Sequence, residues 1–274
     1  MKIEILLAVF NGEKHIKEQL NSIFSQTVND WKVTVRDDGC SDNTMKIVND
    51  FILKFPQKIS VLDDGKGHLG STLSFSSLLE NSTGQYLFLC DQDDVWFENK
   101  LEICLEEMFK LEEDYGDIPL LVFTDLRVVD QNLNSIANSF LESQKLDPTI
   151  INSAVKLAAM NVVAGCTTLL NKSSLEFILP INSNKIIHDQ WIAVNIAHFG
   201  KISYLPQATL MYRQHSNNVL GSLNIGMVYF MKKIFSPVKQ LYIYKSLLFG
   251  LKFRINVFEF LYYKMLFTVK RLIK

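Results

Sequence analysis

The sequence predicts an α/β protein: a mostly parallel central sheet flanked by helices, followed by a basic, aromatic C-terminal helical tail. Two patterns carry the sheet. Over the first 125 residues short apolar runs alternate with segments of helical period, and several of those runs stop at polar clusters. The tail is set apart by its charge. Residues 225–274 hold ten Lys or Arg against one acid, Glu259, a net of +9, which leaves the preceding 224 residues at −10.

Ile3–Val9 is a continuous apolar run, and Ile16, Leu20, Ile23 and Phe24 follow at helical spacing. Lys32–Val35 reads as a second strand. Ser41 and Asp42 are placed to cap a helix carrying Met45, Ile47, Val48, Phe51 and Ile52. Ile59–Leu62 is a third strand, and a turn rich in glycine (Gly65, Gly67, Gly70) opens a helix through Leu78 and Leu79. Tyr86–Cys90 is a fourth strand, a long helix is expected near 97–113, and Leu120–Thr124 is a further strand. Beyond residue 126 the pattern loosens to a mixed segment, a strand near Cys166–Leu170 and a helix starting by Asp189. Strands alternating with helices imply right-handed crossovers, with ligands held beyond the carboxyl ends of the strands. The expected division is a domain over 1–224 and a tail over 225–274.

Composition excludes several classes. With 274 residues, 48% hydrophobic and 21% charged, the chain has material for a large core and lacks a disordered composition. A net charge of −1 argues against a nucleic-acid binder. Cys40, Cys90, Cys104 and Cys166 form no C-x-x-C pair and read as reduced thiols of a cytoplasmic protein. Met1-Lys2-Ile3-Glu4 does not begin a signal peptide, and no run reaches the about 18 apolar residues of a spanning helix. The tail, with twelve Phe and Tyr interleaved with its basic residues, suits the surface of an anionic membrane; packing on its own domain or on a partner subunit is the alternative.

The strand ends carry the chemistry. Ala8-Val9-Phe10-Asn11-Gly12, Arg36-Asp37-Asp38-Gly39 and Asp91-Gln92-Asp93-Asp94 would meet at one edge of the sheet. Such crowded negative charge calls for a divalent cation or a hydrogen-bonding ligand, and the D-x-D spacing offers hard oxygen donors for Mg²⁺ or Mn²⁺. The plainer reading of that run is a solvated turn capping a helix that begins near Val95. Gly65-Lys66-Gly67-His68-Leu69-Gly70 formally matches a dinucleotide fingerprint. Asp63 and Asp64, just before it, would face a pyrophosphate, so a tight turn is favoured over a nicotinamide site. His188-Asp189-Gln190-Trp191 opens a helix, where Asp189 also suits an N-cap. Arg213 and His215 fall on one side of an extended run, where both could meet a diphosphate or metal.

In this order the segments resemble family-2 glycosyltransferases of the GT-A fold, particularly the bacterial rhamnosyltransferase branch. The resemblance covers about residues 3–221. It rests on Ile5–Asn11, Ser22–Thr27, Val35–Thr44, Gly84–Trp96, His188–Trp191 and Tyr212–Asn218. It implies inverting transfer of a sugar from a nucleotide-diphospho donor to an acceptor hydroxyl in cell-surface glycan synthesis. Ala8, Phe10, Asn11 and Gly70 would line the nucleotide, and Asp38 would hydrogen-bond its base or ribose. Asp93 would hold Mn²⁺ or Mg²⁺, with Asp91 on the sugar, the ribose or the metal. Asp189 matches the catalytic base, and Arg213 with His215 the segment that contacts the diphosphate, His215 on metal or phosphate.

The same resemblance makes dTDP-β-L-rhamnose the expected donor, with a UDP-hexose as the alternative. It makes a lipid-linked glycan the expected acceptor, at the cytoplasmic face of the membrane. Ala8, His68 and Ser74 depart from the usual residues and leave the nucleotide open. A homo-oligomer, a nucleotide-binding dehydrogenase and a non-catalytic membrane-docked subunit stand as rival or additional readings.

Overall fold

A computed structural model describes residues 2–181, 186–214, 244–248 and 250–273. Its central sheet is built from β1 (Ile3–Val9), β2 (Trp31–Asp37), β3 (Ile59–Val61), β4 (Tyr86–Cys90), β5 (Val95–Trp96), β6 (Leu120–Val129), β7 (Ser135–Ala137), β8 (Thr168–Asn171) and β9 (Lys201–Arg213). The order is β3-β2-β1-β4-β8-β6-β9-β5, with β7 on the flank of β6. The first four strands run parallel, β8 is antiparallel to both neighbours, and β6 and β9 pair in parallel.

Apolar side chains on the two faces of the sheet bury under separate helical layers. On one side α1 (Ile16–Phe24) presents Ile16, Leu20 and Ile23 at i, i+4, i+7, beside Val48 of α2 (Thr44–Lys54) and Leu101, Leu105 and Met108 of α4 (Lys100–Tyr115). They cover Ile5, Leu7, Val33, Val35 and Phe88. Full burial of each such side chain contributes about 1.5–3 kcal/mol. The opposite face packs Leu6, Leu87, Leu89 and Phe123 against α3 (Ser71–Glu80), α6 (Ala154–Ala159) and α8 (His188–Phe199). Two one-turn helices, α5 (Phe140–Ser143) and α7 (Leu175–Ile178), lie between. The final helix, α9 (Val257–Ile273), closes this layer by burying Phe260 and Phe267.

The expected helix near 97–113 starts later, at Lys100, and Val95 begins no helix. Val95 and Trp96 instead pair with Met211 and Leu210 at the sheet edge, and the Trp96 amide donates to Ser22 Oγ at 3.0 Å. Gln26 completes this brace: its Oε1 accepts the Leu101 amide and its Nε2 donates to the Phe97 carbonyl. Ser22 of α1 and Gln26 just beyond its end thus hold the chain that follows the acidic turn. Of the two residues expected to cap α2, Asp42 accepts the Thr44 amide at 2.9 Å while Asn43 occupies the N-cap position, and Ser41 donates to Asn11 instead.

Candidate active site

Register puts the polar strand ends together. Val9 lies opposite Asp37 and Leu7 opposite Cys90, so the chain leaves β1, β2 and β4 at one edge of the sheet. The three acidic or amide clusters meet there, but they are treated differently.

At the end of β2 the negative charge is met within the protein. Arg36 is fully buried; its guanidinium donates to Asp38 at 2.5 Å, Asp64 at 2.8 Å, Ser74 at 3.0 Å and the Gly67 carbonyl at 2.9 Å. Asp38 also accepts the Leu69 and Gly70 amides, at 2.7 and 2.9 Å, and lies 2.9 Å from His68 Nδ1. Burial works to raise the Asp38 carboxyl, but these donors hold it below the ordinary range. Asp64 is likewise opposed by burial yet drawn down to about 2 by Ser77, Arg36 and the Lys66 amide. Asp64 therefore turns inward onto Arg36 and does not face outward to a phosphate. Asp38, expected on base or ribose, uses its carboxylate to tie the 65–70 turn to β2. That turn delivers Gly70, at φ +79°, to the start of α3. The Asp37 carboxylate accepts the Gly39 and Cys40 amides and shapes the following turn.

At the end of β4 neither Asp91 nor Asp94 forms an ion pair with a side chain among the described residues. Burial, then the charges of Asp93 and Asp189, push Asp91 up to about 7. Asp189, 8% exposed on the first turn of α8, is raised by burial to about 7 against the pull of the Gln190 and Gly165 amides. Asp94 is fully buried, and among the described residues neither carboxylate oxygen has a partner in hydrogen-bond geometry. Burial, Asp93 and Asp91 raise it well above the carboxylate range, with the Cys166 thiol and the Arg213 amide opposing. Ligand atoms of Asp91, Asp94 and Cys166 all lie within 4.8 Å of one another. Burial and the nearby carboxylates also keep Cys166 protonated, so the thiol is neutral. A set of carboxylates short of positive charge, with orphaned oxygens, fits a hard divalent cation such as Mg²⁺ or Mn²⁺.

The remaining expected residues surround this cluster. Arg213, 2% exposed at the end of β9, donates from Nε to the Asp93 carbonyl at 3.0 Å and from one terminal nitrogen to the Gln131 carbonyl at 2.7 Å; it also pairs with Glu18. Its visible work is to hold the acidic turn. His215 lies outside the described residues. Phe10 is exposed and its ring lies 4.7 Å from that of His68, while Asn11, in the left-handed region at φ 49°, accepts the Ser41 amide. Ala8 is partly buried beneath them.

Sequence reasoning missed five contributors. Gln92, the middle residue of D-x-D, clasps Phe10 by both its amide and its carbonyl, each at 2.9 Å. Arg36 and Asp94 were visible only as neighbours of the expected carboxylates, and Cys166, read there as a structural thiol, faces the acidic cluster. His188 is buried against Phe75 with ring centroids 4.3 Å apart, and burial lowers it to about 4, so a neutral imidazole adjoins Asp189.

Known proteins share both sequence and fold with this chain. The model of glycosyl transferase family 2 matches residues 4–179. The dTDP-rhamnosyl transferase RfbG of Shigella flexneri is 28% identical over 228 residues, 79% of this chain and 74% of that protein. The UDP-Glc:alpha-D-GlcNAc-diphosphoundecaprenol beta-1,3-glucosyltransferase WfgD of Escherichia coli is 28% identical over 180 residues, 64% of each chain. Among solved structures, the mannosyltransferase PcManGT of Pyrobaculum calidifontis, in complex with GDP-Man and Mn²⁺, superposes with a TM-score of 0.59 at 16% identity, over 89% of this chain and 69% of that one. Residues 1–349 of TarS from S. aureus, in complex with UDP-GlcNAc, give 0.58 at 19%, over 88% and 67%. The acidic crevice sits on a sheet of the GT-A type, and the chain belongs to glycosyl transferase family 2 and is a glycosyltransferase.

Proposed function

We propose that this glycosyltransferase moves L-rhamnose from dTDP-β-L-rhamnose, with inversion, to a hydroxyl of a lipid-linked glycan at the cytoplasmic face of the membrane. The observation that carries the mechanism is the convergence of Asp91, Asp93, Asp94 and Asp189 at the carboxyl edge of the sheet, where Asp91 is close enough to be raised by the charge of Asp189. The rhamnosyl donor is supported by the Shigella relative, named a dTDP-rhamnosyl transferase.

Inversion requires one displacement, with a base on the acceptor side and charge compensation on the leaving diphosphate. Asp189 is the base in this reading: a carboxylate raised to about 7 takes a proton more readily than an ordinary one near neutral pH. Asp93 and Asp91, with His215, would hold Mn²⁺ or Mg²⁺, which supplies the positive charge that stabilises the departing diphosphate. Arg213 keeps Asp93 in place through its backbone carbonyl. Phe10, Asn11, Ala8 and Gly70 line the nucleotide, and Asp38 shapes that pocket by fixing the turn at Leu69 and Gly70. A UDP-hexose donor is the second reading, favoured by the name of the Escherichia coli relative.

Thermal shifts with dTDP, UDP and GDP, each with Mn²⁺ or EDTA, rank the donors through binding to the native state. A Mn²⁺-dependent shift largest with dTDP is expected; one largest with UDP would replace the rhamnosyl donor. Asp189→Asn should retain that shift while transfer falls about 10²–10⁴-fold, the usual contribution of a general base. Turnover at the parent rate would remove Asp189 from the role.

A further inference from the structure

The tail is not uniformly amphipathic; α9 has two apolar sides with different fates. One side, Phe260 and Phe267, is buried in the core layer, with Tyr263 packed beside it. The other points away from the protein: Phe258 is 84% exposed, Met265 64%, Tyr262 56% and Leu261 53%, with Val257 and Val269 also exposed. At 100° per residue these six occupy one arc of less than half the helix, and the only polar residue within it is Thr268. The charged residues Glu259, Lys264, Lys270 and Arg271 all fall on the remaining arc.

We propose that this outward face of α9 is a docking surface for an anionic lipid bilayer, with the helix lying along the membrane plane. Large contiguous apolar surface is rare on a monomer and marks a contact. Charge decides which contact. Residues 244–274 carry seven Lys or Arg and one acid, while the first 224 residues carry the opposite sign. Lys252 and Arg254 are exposed in the segment that leads into α9, where Lys252 also donates to the Glu176 carbonyl, and Lys270 is exposed in the last turn of the helix. A two-fold pairing of α9 with a second copy would set the same positive patches against each other, whereas an anionic leaflet complements them. Among the described residues no helix is long and apolar enough to cross a membrane, so α9 rests on the surface.

The attachment also orients the enzyme. Lys264, on the inner side, donates to the Ala159 carbonyl of α6, and Gln190 of α8 donates to the Leu157 and Ala158 carbonyls of the same helix. One short helix therefore separates the docking face from the residue that follows Asp189. The acceptor side of the crevice would face the leaflet, an orientation that rests on the lipid-linked acceptor proposed above; the docking itself does not.

The test is co-sedimentation of the full chain with vesicles of phosphatidylcholine, alone or with 30% phosphatidylglycerol. The parent should be retained at least tenfold more on the anionic vesicles. The triple variant Phe258→Ser, Leu261→Ser, Met265→Ser should lose at least tenfold in retention, and Arg254→Glu with Lys270→Glu should lose the preference for anionic lipid. Equal retention of the triple variant and the parent overturns the proposal. So does a parent dimer that the triple variant converts to monomer without changing vesicle retention, since the face would then bind a second copy. The Mn²⁺-dependent nucleotide shift, measured on the same samples, should survive the triple substitution. Its absence in the parent would count against the donor reading alone, because vesicle retention is read separately.

Discussion

At the end of β2, Asp38 and Asp64 share the buried guanidinium of Arg36 and sit below the ordinary carboxylate range. Two strands away, at the end of β4, Asp91 and Asp94 with Asp189 of α8 are as deeply set but lack such a partner among the described contacts, and all three are raised. Both regions bury carboxylates at the same sheet edge, so burial alone does not separate structure from chemistry. What separates them is whether the fold supplies the compensating charge. Where it does, the carboxylates act as braces for a loop. Where it does not, the deficit is an affinity for something brought from outside.

Substitution should affect the two ends in opposite ways. Arg36→Met leaves Asp38 and Asp64 as buried charges without their cation, and breaking a buried pair from one side costs about 3–5 kcal/mol. Urea unfolding should show a loss of that size. Asp91→Asn, measured in EDTA, removes repulsion with Asp93 and Asp189 and should raise the midpoint, while abolishing the Mn²⁺-induced shift. A loss of stability in EDTA on Asp91→Asn would mean that an unrecognised cation of the protein already pairs with it.

Proton linkage separates the regions next. Asp91 and Asp189 titrate near 7 in the folded chain against 3.8 ordinarily, so the native state holds protons that the unfolded state releases. Their contribution to metal-free stability is full below about pH 4 and is lost as pH rises to about 7. His188, lowered from 6.5 to about 4, works the other way over much of that interval, but it is one group against two. Metal binding must displace the carboxyl protons, so the Mn²⁺-induced shift in melting temperature should grow between pH 5 and 7.5. Asp64, at about 2, contributes stability above pH 4 that disappears as pH falls through 2, with or without Mn²⁺. A Mn²⁺ shift that stays flat with pH would sever the link between the raised carboxyls and the cation.

The comparison also explains what could be read in the residues alone. The parallel strands and their polar ends were legible because apolar runs such as Ile3–Val9 and Tyr86–Cys90 stop abruptly at amides and acids. The convergence of Asp91 with Asp189 was legible only through family resemblance, since 97 residues and four strands intervene. Arg36 left no signal: its partner Asp64 lies 28 residues on, in a turn whose path no periodicity predicts. That is why the residues alone could place Asp38 at the nucleotide edge but not show its bonds to Arg36 and the 65–70 turn. Cys166 was equally opaque, because it reaches Asp94 through tertiary packing, with no ligand spacing in sequence.

The smallest expected effect concerns the link between the end of β1 and the acidic turn after β4. Gln92 is clasped to both backbone groups of Phe10, and Gly12 leaves the space it needs: a Cβ there would collide with the Gln92 side-chain amide. Gly12→Ala should therefore displace the Gln92 side chain and forfeit its two hydrogen bonds, about 1 kcal/mol each. Gln92→Ala loses the same bonds directly. In the double variant the second change has little left to remove, so the cycle should show a coupling of about 1–2 kcal/mol. Additive losses would mean that the added methyl disturbs the backbone at Gly12, whose amide donates to Thr44 Oγ1, and not the clasp. Coupled losses together with a weaker Mn²⁺ shift would show that the middle residue of D-x-D holds its two aspartates in register with the nucleotide edge.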